Sequence, residues 1–104
     1  MYIYNITLKV ENIIAKEWLQ WMKDEHIPEV VGTGCFSEAR MFQLAEVDEV
    51  EGPTYAVQFS AANKADYDLY LQKHANILRE KTAKRWGDKV IGFRSLLKII
   101  PLEK

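Results

Sequence analysis

Tyr2-Ile3-Tyr4-Asn5-Ile6-Thr7-Leu8-Lys9-Val10 is the stretch on which the fold turns. Tyr2, Tyr4, Ile6, Leu8 and Val10 fall on one side of an extended chain, and Ile3, Asn5, Thr7 and Lys9 on the other. Successive side chains of a strand point to opposite faces, so this run predicts a strand with one strongly apolar face. The period changes in the next segment. Ile14, Trp18, Trp21, Met22 and Glu25 recur at helical spacings with charges between them. Asn12 stands where an N-cap is expected. Pro28 fits a turn or the opening of a short final helical piece, and Gly32-Thr33-Gly34 breaks the chain.

Phe36 to Leu44 alternates again, with Phe36, Glu38, Arg40, Phe42 and Leu44 on one side. Glu46 to Pro53 is an acidic loop, and Thr54 to Ser60 is a third strand that closes a hairpin. Asn63 is a candidate cap for a long second helix, with Asp66 in its first turn. Tyr67, Tyr70, Leu71, His74, Leu78 and Trp86 mark the stripe of that helix, a kink fits near Ala75-Asn76, and Gly87 ends it. Val90 to Ile100 is a fourth strand, stopped by Pro101. The order β-α-β-β-α-β predicts an α+β, ferredoxin-like fold: a four-stranded antiparallel sheet with two helices on one face.

The other face is left uncovered. Strand parity assigns it Ile3, Asn5 and Thr7 from the first strand and Thr54, Ala56 and Gln58 from the third. Arg40 and Arg94 are assigned to it from the second and fourth, where both sides carry apolar residues. A half-apolar sheet face of this kind suggests homodimerisation, sheet against sheet.

The chain has 104 residues, 48% apolar and 28% charged, which suits a single domain over residues 1–104. Fourteen basic residues against 15 acidic ones remove the simple electrostatic case for nucleic acid or an anionic membrane. The single cysteine, Cys35, excludes an intrachain disulfide and a multi-cysteine zinc site. No apolar run approaches the ~20 residues that cross a bilayer, and the N-terminal residues lack signal-peptide character, so a cytoplasmic location is expected. There is no phosphate-cradling glycine loop, HExxH pair or serine elbow.

Several short stretches taken together carry a resemblance. They are Glu17-Trp18-Leu19-Gln20-Trp21-Met22, Glu25-His26-Ile27-Pro28-Glu29-Val30, Thr33-Gly34-Cys35-Phe36, Tyr70-Leu71-Gln72-Lys73-His74-Ala75 and Phe93-Arg94-Ser95-Leu96-Leu97. With the first and third strands, this ordered set resembles an uncharacterised bacterial family of short proteins in the dimeric α+β barrel superfamily. Where that family usually reads His-Ala-Pro, this chain has His74-Ala75-Asn76. The resemblance implies a homodimer whose two sheets face each other and enclose a cavity. Superfamily relatives include antibiotic-biosynthesis and haem-degrading monooxygenases, muconolactone-isomerase-like enzymes and ligand-binding regulatory domains. Shared fold alone does not choose among them.

Candidate site residues follow, each with a second reading. His26 could move a proton near neutral pH, or it could stabilise the end of its helix. Asn5 and Gln58 could orient a substrate carbonyl, or bond to each other across the sheet. Arg40 and Arg94 could hold a carboxylate or phosphate, or form an ion pair with Glu38. Trp21 is the candidate pocket aromatic, while Trp18 and Trp86 read as core. The haem-degrading relatives use a helix-two histidine and a strand-one asparagine, and His74 and Asn5 stand at comparable positions. They also carry a strand-three tryptophan, where this chain has Tyr55 and Phe59. No cofactor is otherwise expected. The function these readings suggest is binding of a small apolar or aromatic molecule in a sheet-lined cavity, by a cofactor-independent monooxygenase or isomerase. The alternatives are a non-catalytic metabolite- or haem-binding module and a purely structural homodimer.

Overall fold

The computed structural model describes residues 1–103. Strands β1 (Tyr2–Val10), β2 (Glu38–Gln43), β3 (Thr54–Ala61) and β4 (Val90–Lys98) form one antiparallel sheet in the order β2-β3-β1-β4. This is the ferredoxin-like arrangement expected from the element order. One helical arm joins β1 to β2. It comprises a 3₁₀ turn (Asn12–Ile14), α1 (Ala15–Trp21), a π-helical turn (Met22–His26) and α2 (Ile27–Gly32). Helices α3 (Lys64–Lys73) and α4 (Ala75–Trp86) join β3 to β4. They meet at His74, whose backbone leaves the helical region at φ −125°, so the expected kink is a full break.

The register sorts the side chains. Tyr4, Ile6 and Leu8 on β1 pair with Phe59, Val57 and Tyr55 on β3, and these face the helices. Val10, Trp18 and Val57 are wholly buried, and Phe59 nearly so. Each such side chain contributes roughly 1.5–3 kcal/mol by leaving water. Asn5 pairs with Gln58, and Gln58 with Arg40, so all three occupy the opposite, uncovered face. Arg94 does not join them, contrary to the parity assignment. It lies opposite Ile6, on the helix-facing side. β4 is an edge strand whose covered side is only partly roofed, and Arg94 remains exposed there. The uncovered face instead receives Ile91, Phe93, Ser95 and Leu97 from β4.

Pro28 accounts for the π turn. It has no N–H to offer the carbonyl of Asp24, and its ring crowds that carbonyl. The helix widens over Met22–His26 and resumes as α2 with Pro28 in its first turn. Asn63 caps α3 as expected, its Oδ1 accepting from the Asp66 N–H at 2.9 Å. Asn12 does not act as a cap. Glu11 holds that position without a side-chain bond, and the Asn12 amide donates to the carbonyl of Val50 at 3.2 Å. Gly87 ends α4 with φ 59°. Gly52 has φ 155°, and a Cβ there would meet the Val10 carbonyl oxygen at 1.8 Å, so only glycine fits.

Candidate functional site

A cavity of about 370 Å³ lies between the helices and the sheet, toward the β4 edge. Its volume is within the ~300–1,000 Å³ usual for small-molecule sites. Tyr4, Ile6, Val57 and Phe59 form its floor. Trp18, Met22, His26 and Val30 form one wall, and Leu78, Arg79 and Thr82 of α4 another. Gly92 and Arg94 lie along the β4 side. Gly92 pairs with Leu8, so it faces the helices and brings no side chain. A Cβ there would meet the Thr7 carbonyl oxygen at 1.9 Å, so glycine is what lets β4 lie this close to β1.

The helical arm presents its wall at a strict spacing of four: Trp18, Met22, His26, Val30. On a regular α-helix of 3.6 residues per turn, that spacing drifts by about 40° at each step. The π turn between Met22 and His26 takes up drift, so all four side chains face the cavity wall, and of these only His26 is partly exposed. π turns occur mostly as such local widenings, often at functional sites.

His26 is half-buried, and its ring stacks on Trp21 with centroids 5.0 Å apart and planes 17° apart. Trp86 meets the edge of Trp21 at 5.7 Å. Burial holds the His26 pKa below 6.5. Glu29 opposes that shift, and Lys81 adds to it. Glu29 is itself paired to Lys81 at 2.7 Å. The acid acting on His26 is therefore Glu29, not its neighbour Glu25. A neutral imidazole at a cavity wall can accept a proton and release it again.

The polar end of the cavity is built on Tyr4. Arg79 Nη2 donates to the Tyr4 hydroxyl at 3.1 Å. Tyr70, nearly fully buried, packs 5.8 Å from the Tyr4 ring. Burial, with Tyr4 adding to it, pushes the Tyr70 phenol up to about 12, and Arg79 and Arg94 act in the opposite sense. Three donors shut off from solvent, Trp18 Nε1, Arg79 Nε and Trp86 Nε1, have no partner among the described residues.

The sequence-predicted residues divide between the two faces. His26 and Arg94 line the cavity. Asn5 and Gln58 do not: Gln58 Nε2 donates to Asn5 Oδ1 at 3.2 Å, and Asn5 Nδ2 donates to Thr7 Oγ1 at 3.2 Å, all on the uncovered face. Gln58 and Arg40 border a separate hollow of about 200 Å³ there. Arg40 pairs loosely with Glu38 at 4.0 Å, while Arg94, on the opposite edge strand, cannot reach Glu38. Trp21 backs His26 rather than lining the cavity, and the tryptophan that borders it is Trp18. The main cavity is thus roofed by helices, not enclosed by sheet alone.

His74 stands at the α3–α4 break and is not a lining residue. Its ring faces Tyr70 at 6.4 Å. A haem in the cavity would not have this imidazole as its ligand, so the residues do not fit that expectation. Among the described residues, no group of three or more His, Cys, Asp or Glu is placed to hold a metal ion. No helix among them is long and apolar enough to cross a membrane.

Sequence reasoning missed Met22, Val30 and Arg79. The first two were signalled by the spacing of four around His26. Arg79 was signalled by the series Ala75, Arg79, Thr82, Trp86 on α4, although its neighbours Glu80 and Lys81 make the segment read as a solvated face.

Fold and cavity together define a ferredoxin-like α+β domain with a pocket between its two layers. The chain belongs to the family described as "Domain of unknown function (DUF4286)", which matches residues 1–100. Solved structures show the same fold. An ethyl tert-butyl ether (EthD) family protein from Bacillus halodurans C-125 aligns with TM-score 0.69 at 9% identity, covering 96% of this chain and 100% of that one. A candidate monooxygenase from Shewanella loihica PV-4 aligns with TM-score 0.53 at 11% identity, covering 96% and 95%. Comparison with curated proteins gives no match.

Proposed function

We propose that this chain binds a small apolar or aromatic molecule in the helix-roofed cavity and moves a proton on it through His26. The observation that carries the reading is the cavity itself: about 370 Å³, walled mainly by apolar side chains, with one half-buried imidazole. Burial favours the neutral form, so near pH 7 His26 is ready to act as a base. Proton removal from a substrate carbon or hydroxyl is shared by isomerases and by cofactor-independent monooxygenases, the latter with dioxygen as co-substrate. The fold similarity to a candidate monooxygenase is consistent with either. We further propose a homodimer, closed through the uncovered sheet faces. Phe42, Phe93 and Leu97 are 44%, 62% and 44% exposed on that face, and burying them would supply the driving force.

Both parts of the ligand reading can be tested in deuterated solvent with a panel of small aromatic carbon acids. Binding is followed by tryptophan emission, since Trp18 lines the cavity, and deuterium uptake by mass spectrometry. A panel member should bind and gain deuterium, and His26→Phe should slow the uptake by ~10²–10⁴-fold. Uptake unaffected by His26→Phe would remove the proton-carrier role, while Asn5→Ala should leave it intact.

A further inference from the structure

The charges around the cavity are unbalanced. Arg79 and Arg94 both line it, and no Asp or Glu does. Neither guanidinium has a carboxylate partner among the described residues. The one polar bond made by Arg79 is to the Tyr4 hydroxyl, and its Nε is shut off from solvent with nothing to donate to. Leaving a buried donor unpaired is unfavourable, so the guanidinium is under-satisfied where it stands. Arg94 stands exposed at the β4 edge, from which its head can swing onto a ligand. Both charges oppose the upward shift of the Tyr70 phenol, so both act on the same end of the cavity. The remaining walls are largely apolar.

We infer that the natural ligand is an apolar organic acid. Its carboxylate is held between Arg79 and Arg94 beside Tyr4, and its hydrocarbon body lies along Ile6, Leu8 and Val90, the partly exposed apolar lining. Guanidinium forks bind carboxylates through two parallel hydrogen bonds, so the pair both selects and orients the acid. A neutral ligand would leave the charges of Arg79 and Arg94 without a counter-charge. This rests on the small-molecule reading above and adds the chemical class to it.

The test uses phenylacetate, 3-phenylpropanoate and 4-phenylbutanoate, each against its own amide, with phenyl phosphate as a third arm. Calorimetric titration gives the affinities. A carboxylate of the series should bind roughly 10- to 100-fold tighter than its amide, the range expected for hydrogen bonds to a charged group. Arg94→Gln, an exposed substitution, should erase most of that preference without weakening amide binding. Arg79→Lys keeps the charge but loses the fork, and should weaken the carboxylate while the melting temperature stays close to that of the wild type. Equal affinity for acid and amide would overturn the inference and leave the small-molecule reading standing. Phenyl phosphate binding tighter than every carboxylate would overturn the assignment to carboxylates. Failure of all three classes to bind would overturn the small-molecule reading and this inference with it.

Discussion

Leu97→Glu tests the proposed dimer most directly. Leu97 pairs with Ile3 in the register of β4 on β1, faces away from the helices, and is 44% exposed. It does not line the main cavity. A whole leucine side chain gains roughly 2 kcal/mol on leaving water. Scaled to the 44% still exposed, closure of a second sheet over it contributes about 0.9 kcal/mol. A two-fold interface counts the change twice, giving about 1.8 kcal/mol, or about 20-fold in the dissociation constant. This is a lower bound, because the two carboxylates would also lose water without a counter-charge, at a cost of several kcal/mol per ion. Light scattering after size exclusion, across a dilution series, reads the outcome. Wild type should hold its dimer mass at dilutions where Leu97→Glu has become monomer. Ile77→Glu, 64% exposed on α4, introduces the same charge away from the sheet and should behave as wild type. If Leu97→Glu dissociates no more readily than Ile77→Glu, the sheet-to-sheet dimer is wrong.

Two further outcomes concern the folded chain. Burial lowers the His26 pKa below 6.5, so the unfolded chain takes up the proton first as pH falls. The stability linked to His26 is complete above ~6.5 and is lost below it, down to the folded-state value. Urea midpoints on either side of that pH should therefore fall more steeply for wild type than for His26→Phe; parallel curves would contradict a depressed pKa. Asn63→Ala removes the bond to the Asp66 N–H and should cost about 1 kcal/mol. For a domain of this size that is a drop of ~4–8 °C in Tm by calorimetry, and an unchanged Tm would deny Asn63 its capping role.

β1 was readable because its alternation is clean: every second residue from Tyr4 to Val10 is large and apolar, and the other set includes Asn5, Thr7 and Lys9. β4 was not, because Phe93 and Leu97 on one side and Leu96 on the other give no contrast. Its true orientation follows from pairing with β1, which sequence parity within β4 does not contain. An edge strand can turn Arg94 toward the helices because the long side chain still reaches water. Asn12 shows a tertiary contact overriding a local preference, its amide going to Val50 instead of a helix N–H. The π turn escaped because three-and-four spacing presumes a regular helix. Of the candidate site, His26 and Arg94 were legible as residue types able to do chemistry. Their meeting place was not, since it arises from how the helical arm and α4 sit over the β4 side of the sheet, which is not a motif.

The loop between β2 and β3 consists of two stretches with different tolerances. Its inner stretch is laid against the chain leaving β1: Val10 N–H donates to Pro53, Asn12 N–H to Glu51 and the Asn12 side chain to Val50. Gly52 permits that approach. The stretch from Glu46 to Glu49 is exposed and carries no such backbone ladder to β1. Extra residues inserted there would lengthen a surface excursion, at about 0.6 kcal/mol for each doubling of the loop. The same residues inserted between Val50 and Pro53 would shift the ladder out of step and loosen the junction from which the His26 arm departs. Length variation in this loop is therefore permitted on one side of Val50 and resisted on the other.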